Sequence, residues 1–173
     1  MFATISAEPI ITVHVERLTG RTDGIAILSA LVFSLTALGT ILSGPWLGRL
    51  ADRIGHLRVL GISLTVTIVL FALQALADGL VPFMLLRFAT GLALGGITPT
   101  VVATIRRLVP DSSAGLVLGY NVSAQYLGQV TGPIVAGAIG GVLGTPAVFL
   151  MTSAAALIGL IVTVSIRSRL DAG

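Results

Sequence analysis

The sequence predicts an all-α, polytopic transmembrane bundle of six spans, and three observations carry that reading. Of 173 residues, 55% are hydrophobic and only 10% are charged, whereas a soluble domain usually carries about 25% charged residues. The mean hydropathy is +1.05. The few charges cluster, leaving apolar runs long enough to cross roughly 30 Å of hydrocarbon, which takes about 20 helical residues.

Several function classes fall away at once. There is no Cys, so disulfide frameworks, thiolate metal sites and cysteine nucleophiles are excluded. His14 and His56 are the two histidines and lie in different segments, so no metal centre is expected. No phosphate-binding glycine loop ending in Lys-Ser or Lys-Thr occurs, and neither an enzymatic activity nor a cofactor is expected. All ten basic residues are Arg. They sit mostly at the ends of apolar runs, which marks membrane topology rather than a nucleic-acid face.

The first span, near 2–18, is apolar except for Glu8 and His14 up to Val15. Its roughly 14 apolar residues cover about 21 Å, short of a crossing. It is therefore expected to be the outer two-thirds of a helix whose beginning lies upstream. The second, 24–48, holds no charge over 25 positions, and the third, 58–78, has an uncharged centre from 59 to 77. The fourth, 82–106, opens on Pro82, which suits a helix's first turn, and carries one charge, Arg87. From Ser112 to Ile166 there are 55 residues without a charge; as one helix they would reach roughly 80 Å. They are expected to fold back at Gly140–Pro146, giving a hairpin of spans 114–139 and 146–166, with a short tail over 167–173.

Loop charges orient the six-helix domain. Arg49, Arg53, Arg58, Arg106, Arg107, Arg167 and Arg169 fall on one side, and Arg17 and Arg21 on the other. The arginine-rich side is expected to be cytoplasmic, and both termini with it.

The segment between the second and third spans reads Gly48-Arg49-Leu50-Ala51-Asp52-Arg53-Ile54-Gly55-His56-Leu57-Arg58. Gly48 is expected to let neighbouring helices approach, Asp52 to accept from free N–H groups at a helix N-terminus, and Arg53 to neutralise it or hold a carbonyl. Gly55 permits a tight turn. This segment resembles the G-x-L-A-D-R-x-G loop of major facilitator superfamily transporters, where it joins the second and third helices of each six-helix half. The family places two basic residues next; here they are His56 and Leu57, with Arg58 one place late. The resemblance implies that Gly48, Asp52, Arg53 and Gly55 form a cytoplasmic latch during alternating access.

Further resemblances follow in order. Arg87 and Gly91, with Gly95 and Gly96 beyond, are similar to the R-x-x-x-G pattern of the family's fourth or tenth helix. Gly128-Gln129-Val130-Thr131-Gly132-Pro133 resembles the glycine-proline helix of drug/proton antiporters. Gly119-Tyr120-Asn121-Val122-Ser123-Ala124-Gln125-Tyr126 resembles the eleventh helix of bacterial multidrug efflux members. The resemblance covers essentially the whole chain and implies the C-terminal half of a twelve-helix transporter in a bacterial inner membrane. It would export small drug-like molecules against a proton gradient, without a cofactor. Its partners would be the lipid bilayer, its substrate, the proton, and an N-terminal half or a second copy. A non-transporting scaffold, an inactive fragment and a half-size homodimer are the competing readings.

The family's halves are built from inverted three-helix repeats, and an internal echo fits that plan. Pro9 to Leu18 aligns without gaps to Pro99 to Leu108, with proline, arginine and leucine coinciding.

Transport candidates follow from polarity inside spans. Glu8 is the only carboxylate well inside one; an ionisable group there costs about 2.5–3.5 kcal/mol and usually faces a cavity. Such a carboxylate can bind either a proton or a cationic cargo, as antiport requires, and Pro9 beside it can form a hinge. Near the headgroups Glu8 would do neither. Arg87 lies about five residues after Pro82, where it can snorkel outward or serve a structural or proton-relay role. Asn121, Gln125 and Gln129 recur at every fourth residue and share a helix face, suited to lining a substrate path or to interhelical hydrogen bonds. Gly91 with Gly95, and Gly128 with Gly132, are expected at close helix contacts. Trp46 is expected to anchor at the interface.

Overall fold

The computed structural model describes residues 5–20 and 22–171. Residues 2–4 of the expected first span, Arg21, and residues 172–173 of the expected tail lie outside the described residues. The described residues contain no strand. Their helices are α1 (Glu8–Thr19), α2 (Ile25–Ile54), α3 (His56–Ala75), α4 (Leu80–Leu94), α5 (Ile97–Leu108), α6 (Asp111–Leu143) and α7 (Thr145–Asp171).

Five stretches are long and apolar enough to cross a membrane, with α4 and α5 together making one of them, Leu80–Leu108. Helix α1, at 12 residues, spans roughly 18 Å. Several boundaries differ from expectation: the second span runs on to Ile54, and the fifth covers Asp111–Leu143. The fourth span is not continuous: it breaks at Gly95–Gly96. Pro99 has no N–H for the Gly95 carbonyl four residues back, its ring crowds that carbonyl, and two glycines are weak helix formers. The hairpin turn is not spread over 140–146 but is the single residue Gly144, at φ 83. Its N–H donates to the Gly140 carbonyl at 3.1 Å, and Pro146 suits the first turn of α7. Finally, the tail continues α7 as far as Asp171.

Helix α1 is held in the middle of the bundle. Ala7, Ile11 and Val15 pack with Val32 of α2, Phe71 of α3, Phe83 of α4 and Phe149 of α7. Lipid tails are as apolar as these side chains, so the cluster stabilises through close-packed dispersion contacts rather than through escape from water. The outward faces carry large exposed hydrophobics such as Ile27, Leu42, Leu85, Leu127 and Ile158, as a lipid-facing surface requires. Thr36, Thr40, Thr65, Thr90, Thr104, Thr131, Thr152 and Thr163 each donate to the carbonyl four residues back at 2.7–3.2 Å. Their hydroxyls are thereby satisfied without water.

Two seams tie the long helices. Along α2 and α4, Gly39 lies against the Phe88 carbonyl, Gly91 against the Thr36 carbonyl, and Gly95 against the Thr40 carbonyl and Ser43. A Cβ on any of these glycines would land on an atom of the facing helix. Thr40 Oγ1 adds a 3.3 Å hydrogen bond to the Gly91 carbonyl across the seam. Along α3 and α7, Ser153 Oγ donates to the Ile68 carbonyl at 2.9 Å. Helix α6 is attached lightly: Gly132 and Ala136 are its buried residues, and Ala136 meets Ile10 of α1 and Val148 of α7.

Candidate functional site

A cleft of about 700 Å³ opens in the middle of the bundle, lined from every helix except α6. Both helix breaks face it. Glu8 is the first residue of α1, just after a turn at Ala7; Leu94 ends α4; Ile97 and Thr98 begin α5. Each break is followed by a helix of 12 residues with a proline in its first turn, Pro9 in α1 and Pro99 in α5. The sequence echo thus corresponds to a repeated local shape. Thr36, Thr40 and Thr67 add hydroxyls to the lining, and Ile11, Phe33, Ile41 and Phe71 supply apolar wall.

Arg87 lines this cleft and is 3% exposed, so it does not snorkel outward. The reason is its face: Phe83, Arg87, Thr90 and Gly91 form the buried side of α4. Its guanidinium carbon lies 5.4 Å from the Phe83 ring centre and 5.5 Å from that of Phe149. Cation–π attraction is worth about 2 kcal/mol or more when desolvated, and here it stands in for missing hydrogen bonds. Nε and Nη2 of Arg87 have no hydrogen-bond partner among the described residues. Glu8 is exposed at the cleft and acts electrostatically on Arg87, with no ion pair closed between them.

Two polar residues beside Arg87 escaped the sequence reading. The His14 ring sits 4.8 Å from that of Phe83 and 4.9 Å from that of Phe149. Its Nδ1 is 2.8 Å from Thr145 Oγ1. Gln74 Nε2 donates to Thr90 Oγ1 at 2.8 Å, while Gln74 Oε1 and Thr67 Oγ1 are buried without partners among the described residues. A signal existed: Gln74 is the one amide in the uncharged run 59–77, and Thr67, Phe71 and Gln74 share a helix face. A costly polar group in an apolar run points inward by default.

The α6 candidates stand apart from this cleft. Asn121, Gln125 and Gln129 are half-buried, on the side of α6 that continues into Gly132 and Ala136, and none lines the cleft. They make no side-chain hydrogen bond among the described residues, so the interhelical bonds expected as one alternative are not formed. Pro133 sits inside the helix, where it leaves the Gln129 carbonyl without its usual N–H donor.

At the arginine-rich end the loop partners differ from expectation. Asp52 belongs to the last turn of α2, not to a helix N-terminus, and α3 begins after Gly55 without a side-chain cap. Asp52 Oδ1 lies 3.5 Å from His56 Nε2 and 3.9 Å from Arg107 Nη2. Arg53 forms no ion pair among the described residues; the turn at Gly55 instead brings His56, the first residue of α3, to Asp52. Gly55, at φ 101, makes the one-residue turn. Gly48 does not mediate packing: a Cβ there would meet nothing within 4 Å. The ties are weak ones, since Asp52 and Arg107 are 68% and 64% exposed. They nevertheless link this loop to the end of α5.

Known proteins resemble the chain along nearly its whole length. The family profile described as Major Facilitator Superfamily matches residues 9–171. The chain is 39% identical over 148 residues to the Bacillus subtilis protein named "Uncharacterized MFS-type transporter YuxJ", covering 86% of this chain and 38% of that protein. It is 33% identical over 170 residues to "Multidrug resistance protein MdtG" of Erwinia billingiae, covering 98% and 41%. It is 31% identical over 156 residues to "Multi-drug resistance efflux pump PmrA homolog" of Lactococcus lactis, covering 90% and 38%. The chain thus spans 38–41% of the length of these curated relatives.

Proposed function

The chain belongs to the major facilitator superfamily, and from that premise we propose that it forms the C-terminal six-helix half of a proton-coupled exporter of small drug-like molecules. It is a membrane transport protein rather than an enzyme. The observation that carries the finer reading is the central cleft, which Glu8 and Arg87 both line and which both helix breaks face. Discontinuous helices at the middle of a transporter are common binding elements. The apolar wall takes the body of an amphipathic substrate, and Glu8 takes either a proton or the substrate's positive charge. Rocking of this bundle against an N-terminal half would expose the cleft to each side in turn. The Asp52, His56 and Arg107 ties act as the latch at the cytoplasmic end, and both termini lie on that side. The efflux names carried by MdtG and PmrA support the drug-like cargo.

The test is dye efflux from inside-out vesicles containing the intact protein, driven by an imposed proton gradient. Glu8→Gln is expected to abolish the dependence on that gradient while leaving the protein folded. Gradient-driven transport that survives in Glu8→Gln would overturn the coupling role. Efflux by the 173-residue chain alone in proteoliposomes would favour a half-size homodimer, and no substrate binding in any form would favour a scaffold.

A further inference from the structure

Two grooves at the arginine-rich end share no lining residue with the central cleft. The first, about 440 Å³, lies between the α2–α3 turn, the end of α5 and the end of α7; Arg58, Arg107, Arg167 and His56 line it. The second, about 650 Å³, runs along the α3–α7 seam beneath Gly61 and past Ile62, Val66, Leu160 and Val164. Ile54, Leu57, Arg58 and Arg167 line both. A basic rim therefore leads directly into an apolar channel on the outer surface of the bundle.

We propose that this paired groove is a binding site for one anionic phospholipid, its phosphate at Arg58, Arg107 and Arg167 and one acyl chain along the α3–α7 seam. Charge selects the headgroup. Three guanidinium groups line the first groove and no carboxylate does. Beside this rim, Asp52 is tied to His56 and Arg107. His56 is 8% exposed, and its Nδ1 has no hydrogen-bond partner among the described residues. Basic pockets between membrane helices are suited to such headgroups. The channel selects a lipid over a free anion, because Ile62, Val66 and Val164 stay 53%, 43% and 56% exposed along it. In a bilayer those side chains meet acyl chains, not water. The bound lipid would bridge α3, α5 and α7, and so brace the end of the bundle where the loop ties are weakest.

Native mass spectrometry of the delipidated protein in mild detergent tests this, with dioleoylphosphatidylglycerol and dioleoylphosphatidylcholine as probes. Each arginine near a lipid surface contributes roughly a fivefold change in affinity, so phosphatidylglycerol is expected to bind at least tenfold tighter. Arg58→Gln with Arg167→Gln should cut that preference to the small share that Arg107 alone retains, whereas Arg49→Gln with Arg106→Gln, which removes equal charge outside the grooves, should keep it in full. Val164→Trp fills the channel with every charge retained and should weaken both lipids alike. It also stands in if the double arginine variant does not fold. Equal losses in the two arginine pairs would reduce the effect to general surface charge and overturn the site. So would unchanged binding in Val164→Trp, or displacement of the lipid by millimolar inorganic phosphate, which would identify a free-anion site.

Discussion

Along the α2–α4 seam, Gly39, Gly91 and Gly95 touch the backbone of the opposing helix, whereas on α6 a Cβ at Gly115, Gly119, Gly137 or Gly141 would meet nothing within 4 Å. Both regions carry glycines at helical spacing inside apolar runs. Glycine content alone therefore does not locate a contact; the facing element must be present. The seam closes within this chain. The first half of α6, from Asp111 to Thr131, buries no residue in it, and its glycine face suits the further six helices proposed above.

Gly91→Val puts two methyl groups where the Thr36 carbonyl stands, and the expected cost is about 3 kcal/mol or more. Loss of monodisperse protein or a much lower melting temperature in detergent would register it. Arg87→Met comes next and in the opposite direction. Replacing a buried, incompletely bonded charge by an apolar chain of similar length is expected to stabilise by about 1–2 kcal/mol. The same variant should lose transport, so thermal melts and dye efflux together check it. In the 173-residue chain by itself, Gly119→Ala should raise stability slightly, by up to about 1 kcal/mol, because the added Cβ meets nothing there and alanine is the better helix former. A loss as large as that of Gly91→Val would mean α6 is packed after all. The smallest effect is expected for Asp52→Asn, about 0.5 kcal/mol in melts at low salt and less at high salt.

Much of the bundle was legible because a bilayer punishes stray charge. The spans, their order and the Gly55 turn follow from where arginines and aspartates stop and start. What stayed hidden depended on rotation and depth, which one sequence encodes poorly. Pro99 marked the break in the fourth span, but its effect needed Gly95 and Gly96 to be weighed with it. Arg87 was readable as a snorkelling residue by its distance from Pro82; only the face it shares with Phe83 and Thr90 turns it inward. His14 and Gln74 looked incidental one at a time, and became a cluster once α1, α3, α4 and α7 met. The α6 amides were visible as a stripe, yet none of them lines the central cleft.

The hydrogen bond between His14 and Thr145 joins residues 131 positions apart. At synthesis rates of roughly 5–20 residues per second, the imidazole waits roughly 7–26 s for its partner to leave the ribosome. Phe149, the second ring against it, arrives later still. During that interval α1 has α2, α3 and α4 as neighbours but lacks α7, so a newly made chain carries an incomplete polar centre through the insertion machinery. Assembly of this bundle therefore finishes at its last helix, and a ribosome that stalls before Thr145 leaves the centre open to whatever chain or chaperone is beside it.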